Sequence, residues 1–208
     1  MTSEFNPKQI FESAISEHLE VVRDLARQQD VIEAIALGMT SAILGGGKIL
    51  WCGNGGSAAD CQHLAAEIVG RFRRERRGLP SIALTTDSSI LTAVANDYGY
   101  QCVFSRQVEA LARPGDVLVG ISTSGNSQNV IMALEQGRSM GVTTVAMTGA
   151  GGGKMGAIAD FTLAVPSTET ARIQEAHILV GHVLCDWVEL RWTQTQQAES
   201  MRQRIETR

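Results

Sequence analysis

The sequence contains few cysteines, and their spacing argues against the usual cysteine-based sites. Its 208 residues include four cysteines, Cys52, Cys61, Cys102 and Cys185, and no two of them form a C-x-x-C pair. This spacing disfavours both a disulfide framework and an all-thiolate zinc site. We therefore expect buried free thiols.

The chain also lacks an excess of positive charge and any long apolar segment. Its net charge is -4 and its isoelectric point is near 5.6, so neither nucleic acid nor an acidic membrane surface is expected as the main partner. No apolar run approaches the length of a transmembrane helix, and the N-terminal residues lack the basic-then-apolar pattern of a secretion signal. We expect a cytoplasmic protein.

The dominant pattern is an alternation of short apolar runs with helical stretches. A hydrophobic content of 44% over 208 residues is enough for one core and short of two domains. Five apolar runs read as strands: Ile49 to Cys52, Ser81 to Leu84, Val117 to Ile121, Thr143 to Met147 and Phe161 to Val165. Strands that alternate with helices predict an α/β fold with a five-stranded parallel sheet flanked by helices. Ligands are expected at the carboxyl ends of the strands.

Further helices are predicted on either side of this alternating segment. Two amphipathic helices, starting near Asn6 and Asp30, precede the first strand, and their apolar faces fit packing on the sheet or against a second copy of the chain equally well. A long apolar helix ends the pattern, and the polar residues beyond Trp192 are expected to be frayed or disordered. We expect one domain over residues 1–194 and a polar tail over residues 195–208.

A hydroxyl-rich loop, called here the serine loop, follows the third predicted strand. Residues Ile121 to Ser127 read I-S-T-S-G-N-S; the chain turns at Gly125, and Asn126 or Ser127 can cap the next helix. Three serine hydroxyls, a threonine hydroxyl and backbone N–H groups then surround one small volume, where the helix dipole also favours an anion. We interpret the loop as a phosphate site, with an ordinary serine-rich cap and turn as the alternative.

A second loop, called here the glycine loop, follows the first predicted strand and opens a helix. Residues Cys52 to Ser57 read C-G-N-G-G-S, and glycine lets the backbone turn sharply and approach a ligand. The segment also fits the loose dinucleotide pattern G-x-G-x-x-A with Asp87 as acidic partner, so a dinucleotide-dependent oxidoreductase is a second interpretation. No G-x-x-x-x-G-K-[ST] motif occurs, which excludes a P-loop nucleotide site.

Two distant helices carry side chains that can bind a metal. His63 and Glu67 are spaced i, i+4, which places an imidazole and a carboxylate on one face of the helix after the glycine loop. Gln174 and His182 lie on the last helix. Together the four side chains offer nitrogen and oxygen ligands for zinc. Structural histidines and a surface-exposed His/Glu pair are the alternatives.

An arginine-rich segment follows the first of these helices. Gly70 to Gly78 read G-R-F-R-R-E-R-R-G, with five arginines around one glutamate. A single aromatic residue is little for a nucleic-acid patch, so we interpret the segment as a solvated loop. Arg71, nearest the helix, is a candidate for contact with an anionic substrate.

Five motifs in combination resemble a known family. They are C-G-N-G-G-S, H-L-A-A-E, A-N-D-Y-G, I-S-T-S-G-N-S and R-I-Q-E-A-H-I-L-V-G-H. The combination resembles the sugar isomerase (SIS) domain family and, within it, the phosphoheptose isomerases, over nearly the whole chain up to Trp192. The resemblance implies a single SIS-type domain whose N-terminal helices pack in a homotetramer, with active sites between subunits. It also implies conversion of D-sedoheptulose 7-phosphate to D-glycero-D-manno-heptose 7-phosphate, the first step of ADP-heptose biosynthesis for lipopolysaccharide.

The resemblance also implies roles for individual positions. It implies one zinc ion per subunit, with the ligands His63, Glu67, Gln174 and His182, and it makes Glu67 and His182 the acid-base pair. The implied substrate contacts, with Ser57 as a further candidate for the phosphate, are Asn54, Gly55, Gly56, Ser57, Glu67, Asn96, Asp97, Ser122, Thr123, Ser124, Ser127 and Gln174.

These roles describe an aldose-ketose isomerisation through an enediol. The serine loop would hold the phosphate, Glu67 would remove the proton next to the carbonyl, and His182 would exchange protons on the oxygens. The alternative is a non-catalytic SIS-domain scaffold that binds the DnaA replication initiator and needs no acid-base pair. The hypothesis requires Glu67 and His182 to lie together at the edge of the sheet that carries the serine loop.

Overall fold

A five-stranded sheet forms the centre of the molecule. The computed structural model describes residues 6–206. All strand pairs are parallel, in the order β2-β1-β3-β4-β5. The strands are β1 Ile49–Gly53, β2 Ser81–Ala83, β3 Val117–Ser122, β4 Thr143–Thr148 and β5 Phe161–Ala164. The predicted parallel sheet is confirmed, and each predicted strand end agrees to within one residue.

Helices connect the strands and cover the sheet. They are α1 Pro7–Leu25, α2 Gln29–Leu44, α3 Gly56–Val69, α4 Ser88–Tyr98, α5 Ser105–Leu111, α6 Gln128–Ser139, α7 Gly153–Ile158 and α8 Thr170–Glu206, with short 3-10 turns at Ala26–Gln28 and Tyr100–Cys102. Within residues 6–206, no helix combines the length and the apolar character needed to cross a membrane.

Both faces of the sheet are covered, which explains the continuous apolar runs of its central strands. Every residue of β1 and β3 is buried. Trp51 and Val119 face a core that residues of α2, α3 and α8 complete. Leu50 and Leu118 face a second core, completed by residues of α5 and α6. Successive strand side chains therefore enter different cores, as the two-residue period of a strand requires.

The first helix packs on α8 but leaves apolar side chains at the surface. Val21 and Leu25 of α1 are buried. Four large apolar side chains of the helix remain exposed: Ile10, Phe11, Ile15 and Leu19. The expectation that the N-terminal helices pack in an oligomer stays a prediction.

The last helix is longer than the sequence pattern indicates. The residues after Trp192, expected to be frayed or disordered, continue α8 as far as Glu206. Gln, Ala, Glu, Met and Arg in this segment have high intrinsic helix propensity, so the helix extends without a further apolar face to bury. The expected domain over residues 1–194 and tail over residues 195–208 both reach outside the described residues, and this boundary stays a prediction.

The cysteines are free thiols, as predicted. Cys52, Cys61 and Cys185 are buried, whereas Cys102 is partly exposed, which differs from the expectation. Burial raises the pKa of the Cys52 thiol to about 12. A thiol of such high pKa is a poor nucleophile, so we assign Cys52 a packing role in the core.

Candidate active site

The glycine loop and the serine loop lie side by side because their strands are neighbours. β1 pairs with β3 so that Gly53 is in register with Ile121, and the two loops leave the same carboxyl edge of the sheet, as predicted. At Gly55, φ is 55°, a left-handed conformation that favours glycine and turns the chain into α3. Ser57 is buried in the first turn of α3.

Three serine hydroxyls of the serine loop form one cluster. Ser122 Oγ lies 2.8 Å from Ser127 Oγ and 3.3 Å from Ser124 Oγ. Ser127 occupies the N-cap position of α6, but its hydroxyl makes no capping hydrogen bond and contacts Ser122 instead. The first turn of α6 therefore keeps N–H groups that a capping side chain would satisfy. Together with the hydroxyls, these groups suit an anion.

Asn126 and a glycine fix the turn of the serine loop. The Asn126 side chain donates to the Ser124 carbonyl at 2.8 Å and accepts from the Lys154 backbone N–H at 3.1 Å. At Gly125, φ is 64°, and an added side chain would collide with the backbone of Gly152. Asn126 therefore braces the loop against the start of α7 and does not cap α6.

A reciprocal amide pair joins the glycine loop to the first turn of α6, directly after the serine loop. Asn54 Nδ2 donates to Asn129 Oδ1 at 2.9 Å, and Asn129 Nδ2 donates to Asn54 Oδ1 at 2.8 Å. The Tyr100 hydroxyl also donates to Asn54 Oδ1, at 3.3 Å. Neither Asn129 nor Tyr100 is predicted from the sequence, because neither has a distinctive spacing from the other polar residues.

His63, Glu67 and His182 meet within one chain. One potential ligand atom from each lies within 4.8 Å of the other two. His63 Nε2 is 2.8 Å from His182 Nε2 and 3.4 Å from Glu67 Oε1. The i, i+4 spacing brings the first two together on α3, and α8 packs on α3 and supplies the third. Glu67 and His182 therefore approach each other within one chain, whereas their position beside the serine loop stays a prediction.

The His182 imidazole lies against two aromatic rings. Phe72 stacks on it, with 5.5 Å between ring centroids and 18° between ring planes. His63 meets it edge-on, with 5.0 Å between centroids and 81° between planes. Both arrangements are favourable for aromatic pairs, so together they restrict the orientation of the His182 ring.

Gln174 of α8 contacts the first half of α3. Its amide lies over Gly56, where an added Cβ would be only 2.7 Å from Gln174 Cδ. Gln174 Nε2 is also 3.5 Å from Asp60 Oδ1. Because Asp60 offers an acceptor to the amide nitrogen, the amide oxygen is the atom left to bind a cation.

Asp60 is a buried carboxylate that is not among the site residues predicted from the sequence. Its Oδ2 has no hydrogen-bond partner among residues 6–206. Burial raises the pKa of Asp60, while the hydrogen bond from Gln174 and the charge of His63 act in the opposite direction. The spacing of Asp60 and His63, i and i+3 on one helix face, was a usable signal.

The donor set fits zinc. Two imidazole nitrogens and a carboxylate oxygen are ligands that zinc prefers, at about 2.0–2.2 Å from the ion. Side-chain atoms that lie within 4.8 Å of one another need only small rotations to reach such distances. The unpartnered oxygen of Asp60, next to Gln174, also favours a cation in this region.

The arginine-rich segment is a largely exposed loop, as interpreted from the sequence, but its backbone is held by a buried carboxylate. Glu189 of α8 accepts hydrogen bonds from the backbone N–H groups of Phe72 and Arg73, both at 2.8 Å, and of Arg74 at 2.9 Å. Burial acts to raise the pKa of Glu189, but these N–H groups and Arg76 outweigh it and hold the pKa below its usual value. The segment is therefore fastened to α8.

Among residues 6–206, some predicted residues form no hydrogen bond or ion pair with the triad of His63, Glu67 and His182. Asn96 and Asp97 are exposed near the end of α4, and Asn96 Nδ2 donates to Asp97 Oδ1 at 2.8 Å. In the described part of the chain, these two side chains form no hydrogen bond with the other predicted site residues. Arg71 is exposed and lies 3.8 Å from Glu75.

Thr123 and Asp87 both have structural partners. The Thr123 carbonyl accepts from the Gly149 N–H at 3.0 Å, which ties the serine loop to the loop after β4. Asp87 accepts from the Ile90 N–H at 2.9 Å and caps α4. The acidic residue that a dinucleotide site would need is therefore engaged as a helix cap, which weakens the dinucleotide interpretation.

Known proteins share this fold and much of this sequence. The model of the SIS domain family matches residues 11–149. The phosphoheptose isomerase of Akkermansia muciniphila is 58% identical over 165 residues, which cover 79% of this chain and 87% of that protein. That of Aquifex aeolicus is 57% identical over 183 residues, covering 88% and 94%. The solved structure of phosphoheptose isomerase GmhA from Neisseria gonorrhoeae matches with a TM-score of 0.84 and 45% identity, covering 88% of this chain and 99% of that one.

Proposed function

Because the chain belongs to the SIS domain family and, within it, to the phosphoheptose isomerases, we propose that it converts D-sedoheptulose 7-phosphate to D-glycero-D-manno-heptose 7-phosphate. This reaction is the first step toward ADP-heptose and lipopolysaccharide heptose. The observation that carries the proposal is the approach of His63, Glu67 and His182 to within 4.8 Å of one another, on α3, which leaves the glycine loop, and on α8. A phosphosugar isomerase requires such an acid-base pair together with a loop that binds the phosphate.

The serine loop binds the phosphate at the far end of the sugar. The Ser122 hydroxyl already contacts those of Ser124 and Ser127, so little rearrangement is needed to turn the three toward a shared anion. Hydrogen bonds to a charged group contribute about 1.5–3 kcal/mol each. This remote binding energy holds the reacting end of the sugar in place beside α3 and α8. The glycine loop, Ser57, Thr123, Asn96 and Asp97 complete the proposed substrate contacts.

Glu67 and His182 divide the proton transfers between carbon and oxygen. Glu67 takes a proton from C1 of the ketose and, after the enediol has formed, returns a proton to C2. His182 moves a proton from the C1 hydroxyl to the oxygen on C2, so that the ketone becomes a hydroxyl and C1 becomes the aldehyde. Each proton transfer by a positioned side chain contributes about 10² to 10⁴ in rate.

His63, Glu67, Gln174 and His182 would hold one zinc ion in each subunit. When bound, the ion supplies Lewis-acid polarisation of the sugar oxygens. A carboxylate that binds a metal tightly is a weaker base, so the two roles of Glu67 compete. Zinc affinity measures the role of Glu67 as a ligand, and turnover measures its role as a base. Variants of Glu67 can separate the two.

The assembly proposed for this enzyme is a cytoplasmic homotetramer. The exposed apolar side chains of α1, Phe11 and Leu19 among them, support burial of this helix against another subunit. Size-exclusion chromatography with light scattering measures the mass directly. A monomer at micromolar concentration would contradict the assembly but would leave the single-chain triad intact.

Replacement of Glu67 by Gln tests the proposed chemistry. The amide keeps the size of the side chain but cannot accept the proton from carbon, so kcat should fall by about 10² to 10⁴, while binding of sedoheptulose 7-phosphate, measured by calorimetry, changes only a few-fold. Glu75→Gln is the matched control, because Glu75 is exposed on the neighbouring segment, and it should keep the wild-type kcat. A Glu67→Gln variant with near-normal kcat would remove Glu67 as the base. A wild-type chain that binds the sugar without turnover would contradict the isomerase and favour a non-catalytic member of the family.

A further inference from the structure

Glu189 is a buried carboxylate without a role in the proposed reaction. Its side chain is 0% exposed. It accepts the N–H groups of three successive residues, Phe72, Arg73 and Arg74, at 2.8 to 2.9 Å, and Arg76 Nε lies 3.2 Å from its Oε1. Successive N–H groups that converge on one point form an anion-binding concavity, which here holds an internal carboxylate.

Only a carboxylate satisfies this arrangement. An ionised carboxylate is purely an acceptor and has room for several donors, whereas the amide of glutamine has one acceptor oxygen and one donor NH₂ group. With glutamine, the NH₂ group would face the backbone N–H groups. The backbone of residues 72–74 would then lose part of its anchor on α8.

The anchored segment carries a ring that touches the proposed acid-base pair. Phe72, the first of the three residues, stacks on His182 with 5.5 Å between centroids and 18° between planes. Glu189 lies seven residues after His182 on α8, so the two side chains are on nearly the same helix face, two turns apart. The carboxylate, the backbone of the segment, the Phe72 ring and the imidazole therefore form a continuous chain of contacts.

We propose that Glu189 is a positioning residue, which sets the orientation of His182 through the backbone of residues 72–74 and the stacked ring of Phe72. The arginine-rich segment thereby gains a function that the sequence pattern does not reveal. The inference rests on the proposed function of His182. Outer partners of metal-binding and catalytic histidines typically contribute about 10- to 100-fold in metal affinity or activity.

The test compares four variants of the full chain: Glu189→Gln, Phe72→Leu, Phe72→Tyr and Asp186→Asn. Asp186 is the matched control, since it pairs with the side chains of Arg73 and Arg74 on the same segment and leaves their backbone N–H groups alone. Two readouts do not depend on turnover. They are the NMR shifts of the His182 ring protons, assigned with His182→Gln, and zinc affinity from chelator competition.

Stacking on Phe72 shifts the His182 ring protons by its ring current, and this shift should be lost in Phe72→Leu and in Glu189→Gln alike. Both variants should bind zinc about 10- to 100-fold more weakly and lose kcat with little change in KM. Phe72→Tyr keeps the stacked ring, so its His182 shifts, zinc affinity and kcat should stay near the wild-type values. Asp186→Asn should also keep these values. Combining Glu189→Gln with Phe72→Leu should add little to either single change, because both act through the same contact.

A Glu189→Gln variant that melts at a lower temperature but keeps the wild-type His182 shifts and zinc affinity would overturn the proposal, because Glu189 would then be purely structural. Should this variant fail to fold, Glu189→Asp keeps the charge and withdraws it from the segment by one methylene, with the same two outcomes. Absence of turnover in the wild type would contradict the proposed function, whereas the NMR and zinc readouts would still decide the role of Glu189.

Discussion

Gly56→Ala changes one hydrogen into a methyl group directly beneath the Gln174 amide. The added Cβ would lie 2.7 Å from Gln174 Cδ and 2.5 Å from Oε1, closer than Cβ atoms normally approach other atoms. The obstructed group is the end of a flexible side chain, so Gln174 can rotate away while the backbone stays in place. Gly56 lies in the first turn of α3 at a φ that is not in the left-handed region, so alanine fits the backbone there.

Gly56→Ala should affect the stability of the fold and the affinity for zinc differently. Alanine at a compatible backbone position stabilises the fold by about 0.4–1 kcal/mol. This gain roughly offsets the free-energy cost of displacing the Gln174 side chain. Displacement of one ligand should weaken zinc binding by at least as much as loss of an outer partner does, which is about 10- to 100-fold, or about 1.4–2.7 kcal/mol. We expect a melting temperature near the wild-type value together with weak zinc binding.

Chelator competition and thermal melting of the same preparations measure the two terms for Gly56→Ala. Gln174→Ala is the reference, because it removes the group that the methyl displaces. Zinc affinity of the double variant should match that of Gln174→Ala alone, since no amide remains to be moved. Wild-type zinc affinity in Gly56→Ala would refute the assignment of Gln174 as a ligand.

Two further variants probe neighbouring features. Asp60→Asn replaces the acceptor of the Gln174 amide nitrogen with a group that can donate to the amide oxygen, so zinc affinity should fall about 10-fold; chelator competition showing wild-type affinity would contradict this. At His177, burial lowers the pKa from 6.5 to about 4, although the hydrogen bond to the Thr148 carbonyl acts in the opposite direction. Between pH 6.5 and 4, His177 therefore binds a proton in the unfolded chain but not in the folded chain. The free energy of unfolding should fall as the pH drops through this range. The melting temperature of His177→Gln should fall less than that of the wild type over this range. An equal fall would exclude His177 as the cause.

The strands and the two loops could be predicted because their signals are local. A strand covered on both faces is apolar along nearly its whole length, as β3 is from Val117 to Ile121. Glycines and serines at its carboxyl end mark the turn into the next helix. The pairing of β1 with β3 then places the glycine loop beside the serine loop, as the α/β pattern requires.

The environment of His182 could not be predicted, because it depends on contacts between distant parts of the chain. Glu189 looks like any charged residue of a helix, and the arginines before Gly78 look like a solvated loop. The cost of burying the Glu189 carboxylate is offset only when the fold brings three backbone N–H groups to it. The predicted end of α8 is wrong for a different reason. The residues after Trp192 are polar, which indicates disorder, but their helix propensity is high and the helix continues.

Conversion of sedoheptulose 7-phosphate in D₂O by the zinc-loaded protein, followed by NMR, tests the central claim most directly. Proton transfer through an enediol with Glu67 as the base predicts heptose 7-phosphate that carries deuterium at C2, and Glu67→Gln should produce almost none. Unchanged sedoheptulose 7-phosphate with the wild-type protein would contradict the isomerase function, and an aldose product without deuterium, alongside full activity in Glu67→Gln, would contradict the assigned base.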